Sequence, residues 1–343
     1  MKVLLNTMYI TQPDMYLSTQ GDTIVVLKDK KKLLQRPFHE IQDIVLFTYL
    51  GMSPELVRRC LEHGIGIAYM TPRGRLIGRL QSMSQGNILL RRTQYRIADD
   101  SEKALKIVKP IIAAKIYNEK WTVERYIRQY SERINITSLQ EVSKKLTESL
   151  QNVASATSMS ALRGLEGNAQ AIYFSCFDTM ILNQKAAFQF KIRSRRPPLT
   201  RVNALLSFLY AVLSNDIASA LETVGLDAYA GFMHVDRPGR ISLALDLVEE
   251  FRAALVDRFV LSIINRKLIG ERDFIVEDNG AVFLNDAGRR LVLSAWQKRK
   301  QELITHPFLN EKMSWGILPF IQASLLARYL RQDLDAYPAF FWK

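Results

Sequence analysis

The chain has 343 residues, 48% of them hydrophobic, enough for two domains with real cores, and its 47 Lys and Arg against 34 Asp and Glu leave a formal charge of +13. That surplus favours polyanionic partners, nucleic acid first and an anionic membrane surface second. There is no run of about 18 apolar residues and no sustained apolar leader, and Cys60 and Cys176 lack partners at ligand spacing; a membrane span, a zinc finger and a disulfide framework are all disfavoured, and a cytoplasmic protein with two buried thiols is expected.

From Met1 to about Leu80 the apolar segments VLLN, MYLS, TIVVL, KLLQ and DIVLFTYL are short and rich in β-branched and aromatic residues, with turn signals at Gln12-Pro13-Asp14 and Gln20-Gly21-Asp22 between them. They predict a small β-rich domain over residues 1–85. Inside it Ser53 to Leu61 reads as a helix, with Ser53 as cap, Pro54 at the first position and Gly64 beyond the end; strands IGIAYM and RLIGRL follow. Residues 86–100 read as a linker in which strand periodicity gives way to helical periodicity, already helical from Asn87 to Ile97. Residues 101–343 then form the larger, mainly α-helical part of an α+β protein. Its predicted helices are Ser101 to Tyr117, a segment around Trp121 to Ser131, Ser138 to Ser149, Ser155 to Phe177, Arg201 to Val224, Ser242 to Lys267, Asn285 to Gln301 and Ser314 to Gln332. A hairpin is expected at FIVEDNGAVFL. The tail QDLDAYPAFFWK has three aromatics after a proline, suited to docking either on a partner or on its own chain.

The positive charge is grouped. Lys28, Lys30, Lys31 and Lys32 form one cluster, Arg73, Arg75 and Arg79 a second, Arg91, Arg92 and Arg96 a third, and Lys298, Arg299 and Lys300 a fourth. Lys191, Arg193, Arg195, Arg196 and Arg201 surround the stiff Pro197-Pro198 pair. Each alone reads as a solvated face; their sum shifts the balance toward phosphate binding without sequence preference.

Three segments carry possible chemistry. In GFMHVDRPGRISLALDLVEEFR, a helix from Ser242 to Asp257 at about 100° per residue puts Asp246, Glu249, Glu250, Ala253 and Asp257 on one stripe. The Asp-Arg-Pro-Gly-Arg turn can fold His234 back over it. A neutral imidazole beside clustered carboxylates suits Mn2+ or Mg2+, although an acidic stripe is more often a solvated face. In SATSMSALRGLEGNAQAIYFSCF, Glu166 stands between Gly164 and Gly167, small neighbours that let a phosphate or another helix approach closely. Glycine-mediated helix packing is the blander explanation of that segment. Together the Glu, the His and the acidic helix make a possible metal triad drawn from three elements.

With LRGLEGNAQAIYF, GFMHVDRPGRISLALDLVEEFR and VDRFVLSIINRK in a β-then-α chain, the sequence resembles, over essentially its whole length, the CRISPR-associated adaptation integrase family "Cas one", its tail and basic connector being closest to type I-C members. The resemblance implies that Glu166, His234 and Glu249 are divalent-metal ligands for Mn2+ or Mg2+, that Asp246 assists catalysis by orienting a metal-bound water or a second ion, and that Glu250 is a salt-bridging neighbour. The other histidines, His39, His63 and His306, match no family ligand and are expected to be structural. It further implies an endonuclease and strand transferase that inserts short foreign double-stranded DNA into a CRISPR repeat by 3′-hydroxyl attack on a phosphodiester. The implied assembly is a homodimer formed through the β-rich domains, two such dimers flanking a dimer of the small companion protein "Cas two" in a heterohexamer, with the aromatic tail expected at that junction. Two other readings stay open: a structure-selective nuclease for branched DNA, and a non-catalytic basic DNA-binding scaffold.

Overall fold

A computed structural model describes residues 6–82 and 88–343. The expected strand start at Val3, the division placed between residues 85 and 86, and the helix start at Asn87 lie outside the described residues. The first part contains β1 (Asn6–Ile10), β2 (Met15–Gln20), β3 (Thr23–Lys28), β4 (Lys31–Pro37), β5 (Ile41–Leu46), α1 (Pro54–Glu62), β6 (Gly66–Met70) and β7 (Leu76–Leu80). β2, β3 and β4 form an antiparallel meander; β1, β5, β6 and β7 form a second sheet, parallel except for the β7 edge. Alternation along the strands explains its place in the fold. Ile44, Leu46 and Ile67 pack with Ile24, Val26, Leu56 and Cys60 into a small core, whereas Val45, Phe47, Ala68 and Met70 face the opposite way into the large helical core. A sheet buried on both faces needs near-continuous apolar strands, which is what DIVLF supplies.

The helical part comprises α2 (Ile88–Ala98), α3 (Ser101–Tyr130), α4 (Thr137–Ser155), α5 (Met159–Ser175), α6 (Arg201–Thr223), α7 (Ser242–Val248) and α8 (Arg258–Asn265). The hairpin β8 (Phe274–Val276) and β9 (Val282–Leu284), α9 (Asp286–Gln301), the hairpin β10 (Leu303–Thr305) and β11 (Lys312–Ser314), and α10 (Leu318–Leu330) complete it. The helix expected from Asn87 to Ile97 is α2, tied down where the Gln94 amide donates to the carbonyls of Asp227 and Ala230, each at 2.8 Å. Three expectations change. The two helices expected between residues 101 and 131 are one, because Pro110 costs about 3 kcal/mol while the turns around it bury Ile107, Val108, Ile111, Ile112 and Ala114. The helix expected from Ser155 begins at Met159, where Ser158 caps it by accepting from the Ala161 N–H. The helix expected from Ser242 to Lys267 breaks after Val248 and passes through a π-helical turn, Arg252–Asp257, before α8. α6 is long and apolar enough to cross a membrane, but 78% of that window is buried in the core, so it reads as a core helix.

α9 joins the two parts. The Arg289 guanidinium donates to the carbonyls of Pro72 at 3.1 Å and Thr11 at 3.3 Å, and Lys300 bonds Thr7 and Asp216. Arg289→Met keeps the apolar stem and strips both carbonyls of a donor. It is expected to cost about 2 kcal/mol, read as a lower denaturant midpoint at unchanged slope.

Candidate metal and DNA site

Four pieces of chain meet at the site: α3, α5, the loop before α7, and the turn between α7 and α8. Asp246 organises the loop. It is fully buried, and its Oδ2 accepts the N–H groups of Phe232 at 2.6 Å and Met233 at 3.0 Å. Its Oδ1 takes the His234 N–H at 3.0 Å and lies 2.6 Å from His234 Nδ1. Gly231 is required here, since a Cβ would lie 2.8 Å from the Ser242 Cβ and 3.0 Å from Asp246 Oδ2. Both Asp246 oxygens are taken up by these contacts, so that Asp246 positions His234 through the backbone N–H and Nδ1.

Glu166 and Glu249 converge on Lys115. The Lys115 side chain is 1% exposed; its ammonium contacts Glu166 Oε1 and lies 2.7 Å from Glu249 Oε2, an oxygen otherwise without a hydrogen-bond partner. Arg252 reaches Glu249 Oε1 at 3.0 Å. Burial acts to push the Glu249 carboxyl up, but Arg252 and Lys115, with a smaller contribution from His234, outweigh it and hold the group at about 2. Burial likewise acts to lower Lys115, and Glu249, Glu166 and Glu119 together raise it. Glu119, one turn further along α3, is buried with an unpartnered Oε2, and burial pushes it up to about 8 against the pull of Lys115.

The single acidic stripe does not form, because the chain after Val248 is not a continuous α-helix. Glu250 turns toward the C-terminal tail, accepting from the Phe340 N–H at 2.8 Å, the Tyr337 hydroxyl at 2.7 Å and the Gln322 amide at 2.9 Å, and burial pushes its carboxyl to about 7. It makes hydrogen bonds, not the expected salt bridge. Asp257 faces the Tyr210 hydroxyl at 2.5 Å. None of these carboxylates forms a solvated face. Of the two expectations for the tail, packing on its own chain is seen, with Tyr337, Ala339 and Phe340 buried, while Phe341 stays exposed.

Around Glu166, Gly164 and Gly167 are exposed, with nothing within 4 Å of where a Cβ would stand. The glycines therefore keep this face of α5 open instead of packing another helix against it. Arg163 anchors α5 to the histidine loop by donating to the Met233 carbonyl at 3.1 Å and 2.5 Å. Arg195 reaches Gln170, one turn beyond Glu166, at 2.8 Å, which lays the basic loop along α5. Only part of that charge is presented: Lys191, Arg195 and Arg196 are exposed, while Arg193 turns inward to Asn203 and Ser207 and Arg201 pairs with Glu271. Elsewhere Arg79 pairs with Glu222 and Lys300 with Asp216, so those expected cluster members are internal ties.

Among the described residues no group of three or more His, Cys, Asp and Glu side chains is so placed that it could hold a metal ion as the structure stands. The structure brings Glu166 and Glu249 to one cation, with His234 near enough to favour the ionised form of Glu249. Two carboxylates and an imidazole are donors suited to Mn2+ or Mg2+, and the buried oxygen of Glu249 facing a cation without an aligned hydrogen bond fits such an ion. The remaining histidines are placed differently: His306 is buried against Gln322 at 3.1 Å and His63 stacks on Phe38, while His39 is exposed. Both cysteines are free and buried, and burial pushes each thiol to about 12. Lys115, Glu119, Arg163 and Arg252 escaped the sequence reading. The available signal was that Lys115 and Glu119 interrupt the core stripe Val108, Ile111, Ile112, Asn118, Thr122 of α3, where a charged side chain needs a buried partner.

Comparison with known proteins places the chain in a family. The family model for CRISPR associated protein Cas1 matches residues 8–298. CRISPR-associated endonuclease Cas1 1 of Chlorobaculum tepidum is 43% identical over 343 residues, covering all of both chains. Among solved structures, a casposase bound to integration product superposes with a TM-score of 0.83 at 22% identity, covering 100% of this chain and 95% of that one. A Cas6-RT-Cas1–Cas2 complex gives 0.81 at 24% identity, covering 100% of this chain and 37% of that one. At such identities the structures speak to the fold.

Proposed function

Because this chain belongs to the CRISPR-associated Cas1 family, we propose that it is an adaptation integrase: an endonuclease and strand transferase that joins the 3′-hydroxyl of short foreign DNA to a phosphodiester at a CRISPR repeat. The observation that carries the reading is the convergence of Glu166 and Glu249 on one cation position, with His234 oriented by Asp246 and with open space on α5 at the neighbouring Gly164 and Gly167. A similar relative is named an endonuclease, and a structural neighbour holds an integration product, both in keeping with this chemistry.

Glu166, His234 and Glu249 would hold a divalent ion, Mn2+ or Mg2+. When bound, such an ion supplies charge neutralisation at the scissile phosphate and at the departing oxygen. The chain's own residues do the rest. Asp246 fixes the imidazole so that Nε2 faces the site, and Arg163 fixes the distance between the loop and α5. Lys191, Arg195 and Arg196 grip the DNA backbone along α5, which aligns the attacking and departing oxygens. The protein acts in the cytoplasm as a homodimer built on the β-rich segment. Two such dimers flank a dimer of Cas2, a partner suggested by the neighbour solved in complex with it.

The decisive experiment incubates the protein with Cas2, a labelled prespacer and repeat DNA, with Mn2+, with Mg2+, and with excess chelator. Joined product that appears only with metal is expected. Equal joining in chelator would overturn the metal reading, and cutting without joining would favour a nuclease for branched DNA.

A further inference from the structure

We propose that Lys115 is the built-in counter-cation of the metal site, holding Glu166 and Glu249 together until a divalent ion displaces it, and that Glu119 is the seat to which its ammonium then moves. This rests on the reading that Glu166, His234 and Glu249 hold the ion. At 1% exposure Lys115 is sealed from solvent, so its positive charge is not available to DNA. Its ammonium touches one oxygen of each metal-ligand carboxylate, which is the position a bridging cation takes. Without it the two carboxylates would repel across a buried gap, with only Arg252 left on Glu249.

Displacement needs somewhere for the ammonium to go. Glu119 stands four residues on, on the same side of α3, and its buried Oε2 has no hydrogen-bond partner. A buried oxygen left unpaired is costly and calls for an explanation, and an alternate seat for a neighbouring ammonium supplies one. Lysine suits a cation that must move, because it carries a compact charge on a flexible four-carbon stem and can swing, whereas the planar Arg252 remains fixed on the other Glu249 oxygen. Ion and ammonium thus compete for one carboxylate pair, and the vacant oxygen lowers the barrier to exchange.

The test is calorimetric titration of the full-length protein with Mn2+, alongside thermal melts without metal. Lys115→Met is expected to melt lower without metal and to bind Mn2+ about tenfold tighter, because no ammonium competes. Glu119→Gln is expected to bind about tenfold weaker, and this effect should vanish in the Lys115→Met, Glu119→Gln double variant. Equal or weaker affinity in Lys115→Met would overturn competition; a Glu119 effect that persists in the double variant would show Glu119 acting on the ion itself and overturn the seat. Should Lys115→Met fail to fold, Glu119→Gln with unchanged affinity is enough to overturn it. A wild-type protein that takes up no Mn2+ would overturn the parent reading, an outcome distinct from any of these.

Discussion

His234→Ala is expected to lower strand transfer and cleavage by at least about a thousandfold, roughly 4 kcal/mol of lost transition-state stabilisation, while melting temperature and DNA affinity stay close to those of the wild type. The separation follows from what the imidazole touches. It is half-buried, and its one hydrogen-bonded side-chain partner is Asp246. After substitution Asp246 still accepts the backbone N–H groups of Phe232, Met233 and residue 234, so the loop keeps its scaffold. DNA affinity comes from exposed cations on phosphates, to which this one imidazole adds little. Glu249→Ala would be a poorer probe: it leaves Arg252 buried without its carboxylate partner and Lys115 with Glu166 alone, at a cost of about 3–5 kcal/mol, and its inactivity would mix chemistry with misfolding. The measurements are single-turnover strand transfer, a thermal melt, and DNA binding at two salt concentrations. Full activity in His234→Ala would remove the imidazole from the site.

The division of the chain into strands then helices was legible because periodicity is local. The helix at residues 54–62 announced itself through Ser53 and Pro54, and the β8–β9 hairpin through Asp278-Asn279-Gly280. Glu166 and His234 stood out as local oddities, a carboxylate among glycines and a histidine before a Pro-Gly turn, but helix packing explained the first equally well, and their expected role as ligands came from the family resemblance. What escaped depends on three dimensions. A helical wheel places Asp246, Glu249, Glu250 and Asp257 together only if the helix is unbroken. The break after Val248 and the π-helical turn send each to a different neighbour, and nothing in the residue types between 249 and 257 marks that break. Lys115 looked like one more cation in a basic chain; only the approach of α5 and of Glu249 to α3 gives its charge a role. The grouped arginines were overread for the same reason, since a sequence cannot distinguish Arg195 on the surface from Arg193 turned inward.

Ending the chain after Ala336 is expected to lower the melting temperature by at least about 10 °C, or to abolish soluble protein, and to remove activity with it. Phe340 is fully buried, stacked on Phe251 at 5.3 Å between ring centroids and edge-on to Trp315 at 5.9 Å. Loss of one such ring costs about 3–5 kcal/mol, and Tyr337 and Ala339 are buried beside it. Polar ties go too: Asn118 would lose the Phe340 carbonyl and the Trp342 N–H, and Glu250 would keep Gln322 but lose Tyr337 and the Phe340 N–H. Because Glu250 is covalently next to Glu249, the tail clamps the very turn that presents the Glu249 carboxylate to Lys115. Stability and chemistry should therefore fall together. Tyr337→Phe, which deletes one hydroxyl and leaves the rings in place, should cost only about 1–2 kcal/mol and most of the activity should survive. A truncated protein with the wild-type melting temperature would show that the docked tail is dispensable to the fold, and would return its aromatics to the alternative of binding a partner.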